Sequence, residues 1–257
     1  NSGFDLELRY DVIKAKKQDN LNVTLNFVGS YNKQEVISLG SGGDIPFGLR
    51  KGGVIGEYYA APFVGVNPAN GNLLFEDIDG NITENLVESD QRPTGLNIYP
   101  DYQGSFGLDA DFKNFFLTTQ FNYAIGVDRY DFDYNGFMDP NSIGQFRHSR
   151  DILNAWQQPG DITNVPSLTA TNLADQSFSD RDLREADYLR LRFIQFGYNI
   201  PKVVLDKTGF SYIRAFVGGE NLLTFSKWRG FDAEGTGSSQ NGYPTPKTFS
   251  VGLEFGF

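Results

Sequence analysis

The sequence predicts an all-β fold: about seven strands of an antiparallel transmembrane β-barrel, with tight turns at one end and long loops at the other. Three observations lead there. Apolar and polar residues alternate with period two through segment after segment. The face opposite the apolar one carries charges that a dry core would not accept. Short turns alternate along the chain with long irregular stretches, whereas a soluble β-sandwich shows turn signals at close, regular spacing.

The first segment runs from Gly3 to Ile13. Phe4, Leu6, Leu8, Tyr10 and Val12 share one face; Asp5, Glu7, Arg9 and Asp11 share the other. A turn at 16–20 leads to a second segment, Leu21 to about Val36, with Leu21, Val23, Leu25, Phe27 and Tyr31 on its apolar side. Residues 38–100 hold no comparable strand pair and are rich in Gly, Pro, Asn and Asp; a stretch this long is expected to be functional or folded in its own right. Segments three (Tyr102 to Phe112) and four (Phe115 to Asp131) meet at a tight turn at Lys113-Asn114. A second long loop covers 132–186. Segment five, Tyr188 to Ile200, changes phase near Phe193-Ile194, which predicts a β-bulge, with Arg190 and Arg192 on the polar side. Pro201 ends it, and KVVLDKTG is expected to form a helical turn before segment six, Ser211 to Phe225. After a third loop, 227–247, the closing segment places Phe249, Val251, Leu253, Phe255 and Phe257 on one face and Ser250, Gly252, Glu254 and Gly256 on the other.

Composition narrows the chemistry. With no cysteine among 257 residues, disulfides and thiolate metal sites are excluded. One histidine, His148, lies in a loop-type stretch, which leaves little room for a His-based triad. A net charge of −10 without a basic cluster argues against a nucleic-acid partner. Mean hydropathy is −0.38 and no apolar run could form a spanning helix, but a barrel turns only alternate residues to lipid. The opening NSGFDLELRY has neither a basic start nor an apolar core and enters a strand directly. If the tight turns are periplasmic, the first strand starts at the outer face, and a sheet of seven strands would leave two unpaired edges in lipid. The expectation is therefore a chain that begins mid-protein, in a barrel completed by residues outside it.

Three ordered stretches carry a family resemblance. EADYLRLRFIQFGYNIPKVVL (185–205), FVGGENLLTFSKWRGFDAE (216–234) and YPTPKTFSVGLEFGF (243–257) resemble successive segments of the SusC-like, or RagA-like, TonB-dependent transporters of Bacteroidetes. SYNKQEVISLG (30–40) and the stretch 57–83 are also similar; Ala233 stands where the family commonly has proline. The resemblance implies the C-terminal portion of a 22-stranded outer-membrane barrel, multi-pass, with loops 38–100, 132–186 and 227–247 extracellular. It implies a SusD-like lipoprotein over the mouth, a plug and TonB contact supplied by N-terminal residues outside this chain, and a large nutrient as cargo, an oligosaccharide or a peptide. It also makes Phe249, Val251, Leu253, Phe255 and Phe257 the strand that closes the barrel and ends in the aromatic assembly signal. No catalytic, cofactor or metal residue is implied.

Several side chains deserve weighing one by one. Asp77-Ile78-Asp79-Gly80-Asn81 has the look of a calcium loop, but Gly comes too early for an EF-hand, and an Asx-rich hairpin turn is the expectation. Glu76, Asp77, Asp79, Glu84, Glu88 and Asp90 cluster near Arg92; a solvated loop or partner-facing surface is expected over acid–base work. Tyr58, Tyr59, Phe63, Tyr130, Tyr134, Phe137, Trp156, Trp228 and Phe231 either stack on ligand or pack the loops together. Asp5, Glu7, Arg9, Asp11, Asp109, Asp111, Arg190, Arg192, Arg214 and Glu220 are expected to face the lumen and hold the plug. The nearest rival function is a siderophore or cobalamin-type receptor without a SusD partner; more remote are a barrel enzyme and a structural surface barrel.

Overall fold

The computed structural model describes residues 1–16, 20–40, 43, 48–235 and 243–257. Part of the predicted 16–20 turn, and parts of the first and third predicted loops, lie outside the described residues. In chain order the strands are β1 (Ser2–Ile13), β2 (Asn22–Lys33), β3 (Glu57–Ala60), β4 (Phe63–Val66), β5 (Leu73–Glu76), β6 (Ile82–Thr83) and β7 (Arg92–Asn97). There follow β8 (Tyr102–Phe112), β9 (Phe115–Ile125), β10 (Asp128–Tyr130), β11 (Leu183–Glu185), β12 (Tyr188–Asn199), β13 (Tyr212–Ser226) and β14 (Thr248–Gly256). Two short helices, α1 (Phe132–Phe137) and α2 (Lys202–Leu205), and a few 3₁₀ turns complete the regular structure among the described residues.

Seven of these strands form one antiparallel sheet in the order β1-β2-β8-β9-β12-β13-β14, each strand beside its predecessor in the sequence of barrel segments. The register keeps the predicted faces together. Leu8, Phe27, Phe106 and Phe121 lie in one row across β1, β2, β8 and β9, and Asp11, Thr24, Asp109 and Thr118 lie in another on the opposite face. The first, apolar face is the one an outer-membrane barrel turns outward to lipid; on β14 its Val251 is 83% exposed.

Aromatic residues gather at both ends of this outward face. Near the long loops, Phe4, Tyr31 and Tyr102 sit 5.7 and 4.9 Å apart between ring centres. Near the tight turns, Phe115 stands 5.7 Å from Phe196 and 4.7 Å from Tyr198, and Phe210 lies 5.6 Å from Phe255 and 5.1 Å from Phe257. From Tyr102 to Phe112 on β8 the strand rises about 33 Å, or about 25 Å along the barrel axis at the usual tilt of about 35–45°. That matches the apolar band of an outer-membrane barrel, with an aromatic girdle at each water boundary.

Three expectations need correction. β2 ends at Lys33, short of Val36, and β9 ends at Ile125, well before Asp131. At Gly126, φ is +77°, and Asp187 Oδ1 accepts from the Gly126 and Val127 amides, so the chain leaves the sheet there. The bulge in β12 falls at Arg192, between Leu191 and Phe193, in register with both neighbours. Phe193 therefore pairs with Gln120 and Glu220 on the charged face, and only Leu189 and Leu191 share the outward phase before the bulge. β13 bulges opposite, at Asn221, whose φ is +54°.

The long stretches between strands form a folded layer at one end of the sheet. β3 pairs with β7, β4 and β6 flank β5, and β10 pairs with β11. The expected helical turn after Pro201 is α2.

Candidate functional site

The loop layer has its own core. Ala61, Leu73, Phe75 and Leu86 are buried together, with Phe63, Val66, Leu173 and Phe178 packed on them. This joins the first long loop to the second. Backbone bonds cross the same seam: the Ala61 amide donates to Phe178 O (2.8 Å) and the Asp180 amide to Ala61 O (3.0 Å). Buried Asn172 bonds both backbone groups of Leu73, at 3.0 and 2.9 Å, and donates to Glu84 O at 2.7 Å. A second cluster of Ala124, Val127 and Ala186, with Tyr188 and Trp228 against it, ties the layer to β9 and β12.

Most acidic residues of the first loop act as acceptors for that fold. Asp77 Oδ1 accepts from the amides of Asp79 (3.0 Å) and Asn81 (2.7 Å), and Gly80 has φ +86°: an Asx hairpin between β5 and β6. The amide donors, that of Asn81 foremost, hold the Asp77 carboxyl below its usual range. Glu84 accepts from Asn67, Asn70 and Asn72 at 2.5–2.8 Å, which lowers its carboxyl too. Glu76 pairs with Arg92 at 2.5 Å, and buried Asp90 accepts from the Ile78 and Val87 amides. Among the described residues no group of acidic or histidine side chains has the spacing to hold a metal ion.

At the upper end of the charged face lies an ionic junction. Arg190, 3% exposed, donates to Asp232 and to Glu234 (2.8 Å); Arg192 donates to Glu234 (3.2 Å) and to Asn221 Oδ1 (3.1 Å). The bulge at Arg192 lets both guanidinium groups reach one carboxylate. Burial would raise the Asp232 carboxyl, but Arg190, the Thr245 hydroxyl and the Glu234 and Thr245 amides hold it at about 2. A cavity of about 400 Å³ adjoins the junction, lined by Arg190, Asn221, Trp228, Phe231 and Thr245. Lower on the same face Arg214 lies over Phe116 (4.6 Å), donates to Asn199 (2.9 Å) and stands 3.8 Å from Glu254.

The loop aromatics divide. Tyr58, Tyr59 and Tyr130 line a cavity of about 530 Å³ between the first two loops. Tyr134, Phe137 and Phe231 line another, of about 480 Å³, between the second and third, together with His148 and Arg229. Phe63 packs in the core, and Trp156 donates to Pro68 O (3.1 Å) while lying over Gly71, so both serve the fold. His148 Nδ1 is 3.2 Å from Phe137 O, and neighbouring Ser149 Oγ accepts from the Asp151 amide; the two do not form a nucleophile–base pair. Arg229 stacks on Tyr134 (4.6 Å) and pairs with Asp151 at 2.7 Å, which raises the guanidinium and lowers the carboxyl.

The closing residues Phe249, Val251, Leu253 and Phe255 all point outward from β14, and Phe257 follows beyond it, beside Phe210. Among the described residues β14 pairs with β13 alone, and β1 with β2 alone. The buried anchors Asn172, Ser179 and Asp182 escaped sequence reasoning, because a single polar anchor in a loop leaves no periodic trace.

No protein-family model matches the chain. Over its whole length it is 27% identical to TonB-dependent receptor P3 of Formosa agariphila, and over 88% of its length it is 28% identical to TonB-dependent receptor P39 of the same organism. It spans 28% and 21% of those two proteins. Among solved structures it superposes on a chain of the RagAB peptide importer in its open-open state with a TM-score of 0.87, at 25% identity, covering 99% of this chain and 28% of that one. A further structure of the RagAB peptide transporter gives 0.86 over 98% of this chain and 29% of that one.

Proposed function

We propose that this chain, which belongs with the SusC-like TonB-dependent receptors of Bacteroidetes, forms part of the barrel wall of an outer-membrane importer for a large nutrient, an oligosaccharide or a peptide. The observation that carries the reading is the seven-stranded sheet itself. Its outward face is apolar and bordered by two aromatic girdles, its inward face is charged, and it follows a RagAB importer chain over nearly its full length. In this reading β1 and β14 pair with further strands of the same barrel, because each unpaired backbone group in lipid costs several kcal/mol. Phe249 to Phe257 close that barrel and carry its assembly signal.

The long loops then lie outside the cell, under a SusD-like lipoprotein. The inward charges Asp5, Glu7, Arg9, Asp11, Asp109, Asp111, Arg214 and Glu220 hold the plug, and Arg190 and Arg192 hold the third loop over the mouth. TonB acts through residues outside this chain. The similar proteins are named as receptors and transporters, which supports transport over an enzyme reading.

The test is uptake. A strain lacking the whole receptor is compared with wild type for growth on polymeric glycan or protein digest and on the corresponding monomers. The expected result is loss on the polymer-derived nutrient alone, reproduced by deleting the neighbouring lipoprotein. Normal growth there with lost uptake of a ferric chelate or cobalamin would overturn the reading in favour of a siderophore-type receptor.

A further inference from the structure

The apolar face of the sheet is not evenly filled. One row across it reads Leu6, Gly29, Gly104, Tyr123, Leu189 and Phe225, on β1, β2, β8, β9, β12 and β13. Two neighbouring positions in that row carry no side chain. Tyr123 lies into the gap: a Cβ on Gly29 would stand 3.1 Å from its hydroxyl oxygen, and one on Gly104 2.9 Å from it. The ring therefore leans from β9 across β8 to β2. There it stacks on Phe27 at 6.4 Å between ring centres, with Phe106 at 6.5 Å. Leaning that way, Tyr123 vacates the space over the seam between β9 and β12. A groove of about 540 Å³ opens there, lined by Phe27, Phe106, Tyr123, Ile125, Leu189 and Phe225. None of its lining residues lies on β1 or β14, so its shape does not depend on what pairs with the edges of the sheet.

Where the strands give way to the long loops, the groove has a polar rim of Glu185, Asp187, Ser226 and Lys227. Most of that rim is already engaged. Ser226 Oγ donates to Asp187 O (2.6 Å) and accepts from the Trp228 amide (3.0 Å). Asp187 Oδ1 accepts from the Gly126 and Val127 amides at 2.8 and 3.0 Å. Lys227, whose side chain is 78% exposed, gives Glu185 one bond of 2.8 Å. An ammonium group has three donors, so Lys227 keeps two to offer. The groove thus joins an apolar slot inside the strand band to a cation at the boundary with the loops.

That layout complements an amphiphile with an anionic head. The slot continues the apolar face that meets lipid in the import reading, and a basic side chain at the water boundary attracts lipid phosphate. An acyl chain gains no hydrophobic energy by moving from bilayer to slot, because the surroundings it leaves are equally apolar. Shape and headgroup charge decide retention instead, and Lys227 supplies the charge. With the long loops outside the cell, the slot opens to the outer leaflet. We infer that the groove holds one acyl chain of lipid A, the phosphorylated glycolipid of that leaflet, with its phosphate on Lys227. The inference rests on the import reading for the direction of the sheet; that direction is therefore tested apart from lipid binding.

The experiment uses the full-length receptor in mild detergent, freed of co-purified lipid and titrated with lipid A under native mass spectrometry. Phosphate-free lipid A and phosphatidylglycerol are titrated in parallel. Wild type is expected to hold lipid A most tightly, and the phosphate-free form about fivefold more weakly, the effect of one basic side chain at a membrane surface. Lys227→Gln should weaken lipid A binding by the same factor, and Lys227→Arg should preserve it. Leu189→Trp fills the slot and should weaken binding at least about fivefold. Leu25→Trp, elsewhere on the same face, should bind as wild type. Heat-modifiable mobility on gels checks that each variant assembles; if Leu189→Trp does not, Lys227→Gln decides. The proposal is overturned if Lys227→Gln holds lipid A as wild type does, if the phosphate-free form binds equally well, or if phosphatidylglycerol binds more tightly. It is also overturned if Leu189→Trp keeps the lipid and changes the oligomeric state, which would make the groove a protein contact. Direction is read from Ile162→Cys, at a position 97% exposed in the second loop, with an impermeant maleimide on intact cells. Labelling is expected. Its absence overturns the orientation, and with it the choice of an outer-leaflet lipid; labelling without lipid A binding overturns the groove alone.

Discussion

The strand wall and the loop layer handle apolar surface in opposite ways. In the wall, Phe249, Val251 and Leu253 stand exposed while the inward face carries Arg214 and Glu254. In the loop layer, Ala61, Leu73 and Phe75 are fully buried, and carboxylates such as Asp90 and Asp182 are held inside by amides and guanidinium groups. In the import reading, lipid covers the wall's apolar face and further strands pair with its edges; the loop layer buries a core of its own. A long connection between barrel strands can thus hold a fixed shape, and with it a preformed cavity, because several short loops share one core.

The sharpest way to break this contrast is to empty that core. Phe75→Ala removes a fully buried ring and should cost about 3–5 kcal/mol. Limited proteolysis should then cut the first and second loops while the barrel keeps its heat-modifiable mobility; joint loss of both would mean that the two regions fold as one. Next comes the seam. Arg190→Ala leaves Asp232 and Glu234 without their main partner and should cost about 3–5 kcal/mol, read as faster amide exchange around 231–235. On the wall, Val251→Arg puts a charge in the lipid band and should cost about 2–4 kcal/mol, while Ser250→Arg, facing inward on the same strand, should cost far less. Equal assembly yields for the two would abolish the assignment of faces.

Acid separates the two kinds of buried carboxylate. Asp232 lies below its unfolded value, so its contribution is full above about pH 4 and fades as pH falls toward about 2. Asp131 and Asp180 are raised, chiefly by burial, so their ionised forms cost stability near neutrality, and protonating them stabilises the loop layer as pH falls. Loop-layer melting should therefore rise on mild acidification before the third loop detaches, with Trp228 fluorescence reporting the detachment. A monotonic fall from pH 7 would refute this order. The smallest effect is expected at the Asx hairpin, where Asp77→Ala should lower loop-layer melting slightly and Asp77→Asn less still.

Much of the wall was legible because every strand residue has only two sides to choose from. Alternation assigned Phe4 to Val12, Phe106 to Phe112 and Phe249 to Phe255 to the outward face, and the register agrees except at Val12, where it slips and Ile13 pairs with Val23 instead. The same rule located a bulge in segment five but missed its position, since Phe193 is apolar and still turns inward. Its phase is fixed by Arg192 reaching Glu234 and Asn221, contacts made with residues remote in the chain.

In the loops the aromatics were visible as candidates, yet composition could not divide them. Trp156 and Phe63 serve packing while Tyr130 and Tyr59 line a cavity, and only the meeting of β3, β10 and the segment near Gln176 separates the two roles. The sequence by itself determined which face of each barrel strand meets lipid, because period-two alternation is local and lipid rejects charge. The tertiary structure alone decided how the loops share a core, which carboxylates are buried, and where a cavity opens, because those depend on contacts between residues some hundred positions apart.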